Sequence, residues 1–435
     1  MRRKAVHIIS LGCSKNLVDS ERVARMLADA GCDVFMDDAP RRPHITVINT
    51  CGFIGDAKEE SIDTILEACR DRDEGGSVRK VYVMGCLSQR YRDVLPAEIP
   101  EVDGWFGKFD WDGLATELTG TQPQSAGACE RKLSTPSHHA YIKISEGCNR
   151  FCAFCAIPLI TGRHRSRPVQ EILDEVAALV RQGVSEFNVI AQDLSSYGHD
   201  LEGRSLLAEL IDRMADIEGV RRIRLHYAYP ADFPFDILPV MARRPNVCRY
   251  LDIALQHIDD GVLANMRRHI SAAQTRELLE RIRREVPGIH IRTTLMTGFP
   301  GETPEAFERL MEFVAEQRFD RMGAFAYCEE DDTWAARNLT DDIPQEVKQE
   351  RLDRLMAAQQ EIAYDLNRAK VGTRLEVVID SEDEDYYIGR SEFDSPEVDP
   401  EVLVRKTRPL QPGQYVTVEV TDAMPFELIA TPVEP

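Results

Sequence analysis

The chain has 435 residues, enough for about three domains at roughly 150 residues each, and its 43% hydrophobic and 29% charged content is ordinary for a globular protein. Against 74 acidic residues stand 53 lysines and arginines, a formal charge of −21 that repels a phosphate backbone and attracts a basic protein. No apolar run approaches the roughly 20 residues that span a bilayer, and Met1-Arg2-Arg3-Lys4 leads into a short strand without a cleavage site, so a cytoplasmic protein with no membrane partner is expected.

Residues 1–120 form the first predicted domain. Three short apolar strands, Ala5–Leu11, Ile45–Asn49 and Val81–Met84, are each followed by a cysteine, and helical patterns cover Asn16–Ala30 and Asp56–Cys69. Strand–helix alternation predicts a doubly wound parallel sheet, whose ligands gather beyond the carboxyl ends of the strands. Cys13, Cys51 and Cys86 occupy those ends, 38 and 35 residues apart, and should converge in space. An odd total of eleven cysteines in an acidic chain of cytosolic type argues for metal or redox chemistry over a disulfide framework. Three convergent thiolates suit a [4Fe–4S] cluster with one open iron. Gly12, Gly52 and Gly85 beside them would let backbone approach an inorganic core. Cys32 and Cys69 lack this placement and read as core; Cys129 falls in the Ser/Thr/Pro-rich boundary Gly120–Ser137.

The second domain, residues 134–365, has six candidate strands: Tyr141–Ser145, Glu186–Ala191, Arg222–Tyr227, Tyr250–Ala254, His290–Met296 and Arg321–Tyr327. Helical patterns lie between them over Val169–Gln182, Ser271–Glu285 and Thr303–Gln317. Six βα units fall short of the eight that close a barrel, so a partial (βα)6 barrel is expected, with its chemistry at the carboxyl ends of the strands. Just after the first strand come Cys148, Cys152 and Cys155, spaced C-x3-C-x2-C. A zinc site takes four ligands, whereas three thiolates on a [4Fe–4S] cube leave one iron for an outside ligand. The spacing resembles the signature of the radical SAM superfamily, in which S-adenosylmethionine chelates that iron. Phe151 and Phe154 are expected to shield the cluster from water. Gln192 and Asp193 follow the second strand and could hydrogen-bond the cofactor's amino group or ribose. Gln256 and His257 follow the fourth, with His257 a pocket residue more than a ligand. Gly298 and Gly301, after the fifth, would allow close approach to an adenosine. The basic run Arg163–Arg167 divides between solvated face and contact with substrate or cofactor. A long helical pattern, Ile343–Arg368, connects to the last domain through Gly372.

Residues 369–435 carry strands at Leu375–Asp380, Tyr387–Arg390, Val402–Lys406 and Tyr415–Thr421, a small antiparallel β-barrel. From Lys370 to Pro435 there are 6 basic and 15 acidic residues, a net −9. Glu382–Asp385 and the loop Asp394–Asp399 supply much of it. Such a barrel disfavours nucleic acid and favours a basic protein.

The whole chain resembles the methylthiotransferases, radical SAM enzymes with an N-terminal cluster domain and a C-terminal TRAM barrel. The likeness rests on Asn49-Thr50-Cys51-Gly52-Phe53-Ile54, Gly85-Cys86-Leu87-Ser88-Gln89-Arg90-Tyr91, Glu146-Gly147-Cys148-Asn149, Ala191-Gln192-Asp193, Leu255-Gln256-His257 and Gly298-Phe299-Pro300-Gly301-Glu302-Thr303. Gly52-Phe53-Ile54 and Pro396-Glu397-Val398-Asp399 resemble the protein-modifying branch more than the tRNA-modifying one. Ala254 and Pro400 depart from the family pattern, which touches loop detail only. The resemblance implies that Cys148, Cys152 and Cys155 hold the cluster that cleaves S-adenosylmethionine, giving a radical that takes a hydrogen from an unactivated carbon. It implies that Cys13, Cys51 and Cys86 hold a second [4Fe–4S] cluster carrying the sulfur, and that a second S-adenosylmethionine supplies the methyl group. The implied acceptor is the β-carbon of an aspartate in the basic small-subunit ribosomal protein S-twelve, with an external electron donor and sulfur source. Two other readings compete: the same chemistry on a tRNA adenosine, or a non-catalytic iron–sulfur binding module.

Overall fold

The computed structural model describes residues 4–36, 43–122 and 131–433. The N-terminal sheet comprises β1 (Ala5–Ser10), β2 (Asp33–Met36), β3 (Ile45–Thr50), β4 (Lys80–Gly85) and β5 (Gly104–Trp105). All pair in parallel, in the order β2-β1-β3-β4-β5. The three expected strands are present, and β2 and β5 are additions at the two edges. Val47, Tyr82 and Met84 face the helices Ser14–Asp29 and Trp111–Thr119, whereas Ile48, Val81 and Val83 face Gly55–Asp73. Alternation along each strand thus builds two helical layers on one sheet. Strand order reverses between β1 and β3, the switch point where such sheets open a crevice. Cys32 and Cys69 are core, as expected; Cys129 lies outside the described residues.

The central sheet runs β13-β12-β11-β10-β9-β6, all parallel. Its strands are β6 (His139–Lys143), β9 (Glu186–Ile190), β10 (Arg222–Ala228), β11 (Val247–Gln256), β12 (His290–Thr297) and β13 (Arg321–Ala326). Two short strands, β7 (Ser145–Glu146) and β8 (Arg165–Ser166), pair antiparallel and pinch the base of the cysteine loop between them. The helices Val169–Arg181, Ala272–Glu285 and Pro304–Gln317 bury one apolar face each on the sheet. Ser271 and Thr303 cap the last two by accepting backbone N–H bonds, which is why those helices start where the hydrophobic period begins. The helix Gln345–Arg368 does more than connect. Its Leu355 and Ile362 belong to the main core, Gln359 donates to the Phe319 carbonyl at 2.8 Å, and Arg351 pairs with Glu302 at 2.7 Å.

The C-terminal unit is a closed barrel of β14 (Arg374–Glu382), β15 (Tyr386–Arg390), β16 (Val402–Arg405), β17 (Tyr415–Ala423) and β18 (Leu428–Pro432). Four pairings are antiparallel, but β18, which the sequence reading omitted, lies between β16 and β17 and pairs with β16 in parallel. The barrel sits on the amino-terminal ends of the central strands. Arg390 Nη1 donates to Glu186 at 2.6 Å, and Arg222 donates to the Arg390 and Glu376 carbonyls at 3.0 and 2.7 Å. The acidic loop enters the sheet's concave side. Asp394 pairs with Arg321 at 2.8 Å, Asp399 accepts from Tyr250 at 2.7 Å and Arg292 at 3.2 Å, and Glu397 accepts from Tyr141 at 3.2 Å. Asp394 and Asp399 therefore do not join the outward acidic face expected of them, whereas Glu397 and Glu382–Asp385 are exposed. The carboxyl ends of the central strands are left to face the N-terminal domain.

Candidate active site

Cys13 is the N-cap of the helix Ser14–Asp29, Cys51 follows β3, and Cys86 opens the helix Cys86–Arg90. One small side chain draws them together. Asn16 donates to the Leu11 and Thr50 carbonyls at 3.1 and 2.9 Å, and its amide oxygen accepts from the Cys86 thiol at 3.4 Å. At Gly12, φ is +87°, and a Cβ there would stand 2.7 Å from Cys51 Cβ, so only glycine lets the two chain segments approach this closely. Burial, with Cys13 and Cys51 nearby, pushes the Cys86 thiol up to about 12. Burial also raises Cys51. Cys13 is an exposed residue; loss of solvent around its sulfur acts upward, but Lys15, the Asn16 N–H and Lys108 together outweigh it and the thiol is lowered. No three His, Cys, Asp or Glu side chains among the described residues gather for a single metal ion. An iron–sulfur cube asks for something else: soft thiols set apart by the cluster's own width, which is what three neighbouring strand ends offer.

The second set lies on the loop pinched by β7 and β8. Gly147 has φ +75°, and a Cβ would run into the Arg163 carbonyl. Cys148 N–H donates to the Gly162 carbonyl at 3.2 Å, and Cys155 N–H to the Cys152 carbonyl at 3.0 Å. The Cys148 sulfur accepts from Arg150 N–H, and the Cys152 sulfur from Arg268, both at 3.4 Å. Arg268 and Arg150 in turn stack on the Tyr229 ring at 4.1 and 4.4 Å. Burial raises Cys148 to about 12 and Cys155 further. Held this way Cys148 and Cys155 keep their protons, and a metal centre that takes them as thiolates must release those protons. The expected aromatic shield is half present: Phe154 packs edge-on to Phe299 at 6.1 Å, whereas Phe151 is exposed with φ +48°. Phe151 stands at the loop tip, where the turn aims it outward.

The cofactor-side residues divide by how far their polar atoms are already engaged. Gln192 donates to Glu146 at 2.9 Å and keeps its other amide atom buried without a partner. Gln256, at the end of β11 with φ +71°, is buried with its amide oxygen likewise unpartnered. Such orphaned groups fit a bound molecule with matching polar atoms. Asp193 is already committed: it accepts from Arg150 at 2.7 Å, from Ser195 N–H at 2.9 Å, and from Ser196. His257 accepts from Asp259 N–H at 3.0 Å and faces Glu302 at 3.4 Å, the pocket role expected. Gly298 and Gly301 are demanded by internal packing, since side chains there would collide with Lys348 and Asn265. Arg167, from the basic run, is inward, paired with Glu171 and Glu175.

Three protein families match consecutive parts of the chain: Uncharacterized protein family UPF0004 over residues 5–107, the Radical SAM superfamily over 142–314 and the TRAM domain over 371–433. Ribosomal protein uS12 methylthiotransferase RimO of Phocaeicola vulgatus is 57% identical over 99% of this chain and 100% of its own. The RimO proteins of Bacteroides thetaiotaomicron and Porphyromonas gingivalis are 58% and 56% identical, over 99% of this chain and 98% and 99% of theirs. The chain belongs to the RimO family. It is a radical SAM methylthiotransferase. Among solved structures, the radical S-adenosylmethionine methyltransferase TsrM of Kitasatospora setae aligns with TM-score 0.54 at 18% identity, over 75% of each chain. The cobalamin-dependent radical enzyme OxsB aligns at 0.52 and 12%, over 83% of this chain and 56% of that one. Those two likenesses are of fold.

Within this family member a buried polar chain joins the two cysteine sites, and nothing in the residue pattern marks it. Lys108 Nζ lies 3.4 Å from the Asn16 oxygen that contacts Cys86, and 2.8 Å from Asp19. Asp19 also holds Lys143, which pairs with Glu146, the acceptor for Gln192. Lys108, Asp19 and Lys143 are each at most 2% exposed. Their charges are tolerable only because they alternate. Asp19 is lowered, since the two ammoniums outweigh its burial.

Proposed function

We propose that this chain adds a methylthio group to the β-carbon of an aspartate in ribosomal protein uS12, with domains at 1–120, 134–365 and 369–435. The observation that carries the reading is the closeness of two separate three-cysteine sites. Cys86 packs on Ala156 and Ile160, which directly follow the C-x3-C-x2-C loop. Arg90 and Lys58 from the N-terminal domain clamp Glu330 of the central domain at 2.8 and 2.9 Å. In this reading Cys148, Cys152 and Cys155 hold one [4Fe–4S] cluster, and Cys13, Cys51 and Cys86 hold another. When bound, the clusters and S-adenosylmethionine supply the electron, the hydrogen abstraction and the sulfur with its methyl group.

The protein's own part is placement. Gln192 and Gln256 offer unengaged amide groups to S-adenosylmethionine, Gly298 and Gly301 shape the turn beside it, and Asp193 holds Arg150 over the Cys148 loop. The N-terminal domain covers the carboxyl face and excludes water, which protects a reactive carbon centre from side reactions. An external electron donor and sulfur source are required. Among the described residues no helix is long and apolar enough to cross a membrane; a cytoplasmic site of action agrees with a ribosomal substrate.

The test is to reconstitute the enzyme anaerobically and incubate it with uS12 and, separately, with tRNA. Mass mapped to one aspartate supports the reading, and mass on tRNA alone overturns it. Cys51→Ala should bind about four irons in place of about eight and lose methylthio transfer while 5′-deoxyadenosine still forms.

A further inference from the structure

We propose that Lys15 is the counter-ion for the carboxylate of the target aspartate, and that it makes the enzyme prefer aspartate to asparagine. The proposal rests on the aspartate reading above. Lys15 lies on the first turn of the helix Ser14–Asp29, two residues beyond Cys13. Its ammonium stands 3.2 Å from the centroid of the Tyr227 ring. Among the described residues no carboxylate pairs with it, whereas its two neighbours in the seam, Lys108 and Lys143, are each held by Asp19.

Tyr227 is unusual as well. It sits near the carboxyl end of β10 with φ +65°, a costly conformation for an aromatic residue, and its N–H donates to Asp252 at 3.4 Å. Backbone of this kind persists where the surroundings require a side chain in one place. Here it turns the ring under a cation arriving from the other domain. Stacking on a ring face fixes an ammonium without neutralising it, and leaves N–H donors free. Lys15 follows Cys13 on one side and rests on Tyr227 of β10 on the other, so it stands between the Cys13, Cys51 and Cys86 site and the strand ends of the central domain. The β-carbon of aspartate is bonded directly to its carboxylate carbon. A charge-assisted bond from Lys15 to that carboxylate would therefore fix the reacting carbon one bond away, beside the Cys13, Cys51 and Cys86 site.

The test uses the full-length reconstituted enzyme, purified uS12, and uS12 with its mapped aspartate changed to asparagine. Lys15→Met keeps the aliphatic stem on Tyr227 and removes the charge; Lys15→Arg keeps the charge. Expected for Lys15→Met is a rise of about ten- to a hundredfold in KM, and in the Kd of fluorescently labelled uS12, on the aspartate substrate. On the asparagine substrate, already poor with the unaltered enzyme, the further loss should be under about threefold, and Lys15→Arg should restore much of the aspartate preference. Equal losses on both substrates would mark Lys15 as a structural prop and overturn the proposal. An aspartate-to-asparagine ratio near one for the unaltered enzyme would overturn it without any variant. If the unaltered enzyme leaves uS12 unmodified, the proposal falls together with the substrate reading; if it modifies uS12 and Lys15→Met matches it, the proposal alone falls.

Discussion

Asp19→Asn should be among the most damaging single changes outside the cysteines. Asp19 is 1% exposed and faces two ammoniums, Lys108 at 2.8 Å and Lys143. Lys143 keeps Glu146 after the substitution, but Lys108 is left with neutral amide oxygens, that of Asn16 at 3.4 Å among them, and no carboxylate. Removing one partner from a buried ion pair costs about 3–5 kcal/mol, because the other charge stays buried without compensation. For a unit of roughly 150–250 residues, at about 2–4 °C per kcal/mol, that is a fall of roughly 6–20 °C in Tm. Differential scanning fluorimetry of the iron-free chain reads it directly. Asp29→Asn, which breaks the solvent-exposed pair with Arg25, serves as the comparison and should move Tm by no more than a degree or two. If Asp19→Asn falls no further than Asp29→Asn, the polar chain between the cysteine sites does not bear charge as argued.

Gly147→Ala should remove one cluster and spare the other, since its Cβ would strike the Arg163 carbonyl at the base of the Cys148 loop; iron analysis should fall from about eight per chain to about four. Acidification should loosen the seam between central sheet and barrel. Burial holds His139 and His290 down to about 4, so the unfolded chain binds protons that the folded one refuses. The stability they contribute is complete above pH 6.5 and is lost as pH falls toward 4, with the loss reaching about 2 kcal/mol per histidine by pH 5. Urea midpoints at pH 7 and pH 5 measure it, and glutamine at both positions should flatten the dependence. Glu186→Gln, which leaves Arg224 and Arg390 facing a neutral amide, should speed proteolysis at the 369–373 connection, read by timed digestion.

The strands that carry chemistry were legible because they are the well-formed ones. β1, β3 and β4 are apolar runs buried on both faces, and each of the six central strands lies between amphipathic helices. β2 and β5 escaped notice because four and two residues at a sheet edge need no period. β18 was missed because it follows Pro425 and Phe426 at the end of the chain, where a short apolar run resembles a tail. That Cys13, Cys51 and Cys86 follow neighbouring strands, and that Cys148, Cys152 and Cys155 share one loop, was readable from strand position and spacing. Lys15, Asp19, Lys108 and Lys143 were not, since a charged residue on a helix or strand ordinarily faces water and nothing in its neighbours says otherwise. Gly298 and Gly301 were legible as special but for a different reason: the neighbours that forbid a Cβ, Lys348 and Asn265, are 50 and 36 residues away.

The way the acidic loop enters the central sheet bears on how the enzyme can be taken apart. Asp394, Glu397 and Asp399 answer Arg321, Tyr141, Tyr250 and Arg292, while the backbone of Arg390 to Glu392 answers Arg222 and Arg224. A chain ending at Ala369 would leave four arginines on the sheet's concave side without these partners. The barrel is the floor of the reaction chamber, fitted from below like a keel, and a core cut free of it keeps only part of its charge pairing, Arg224 with Glu186 and Arg292 with Asp252.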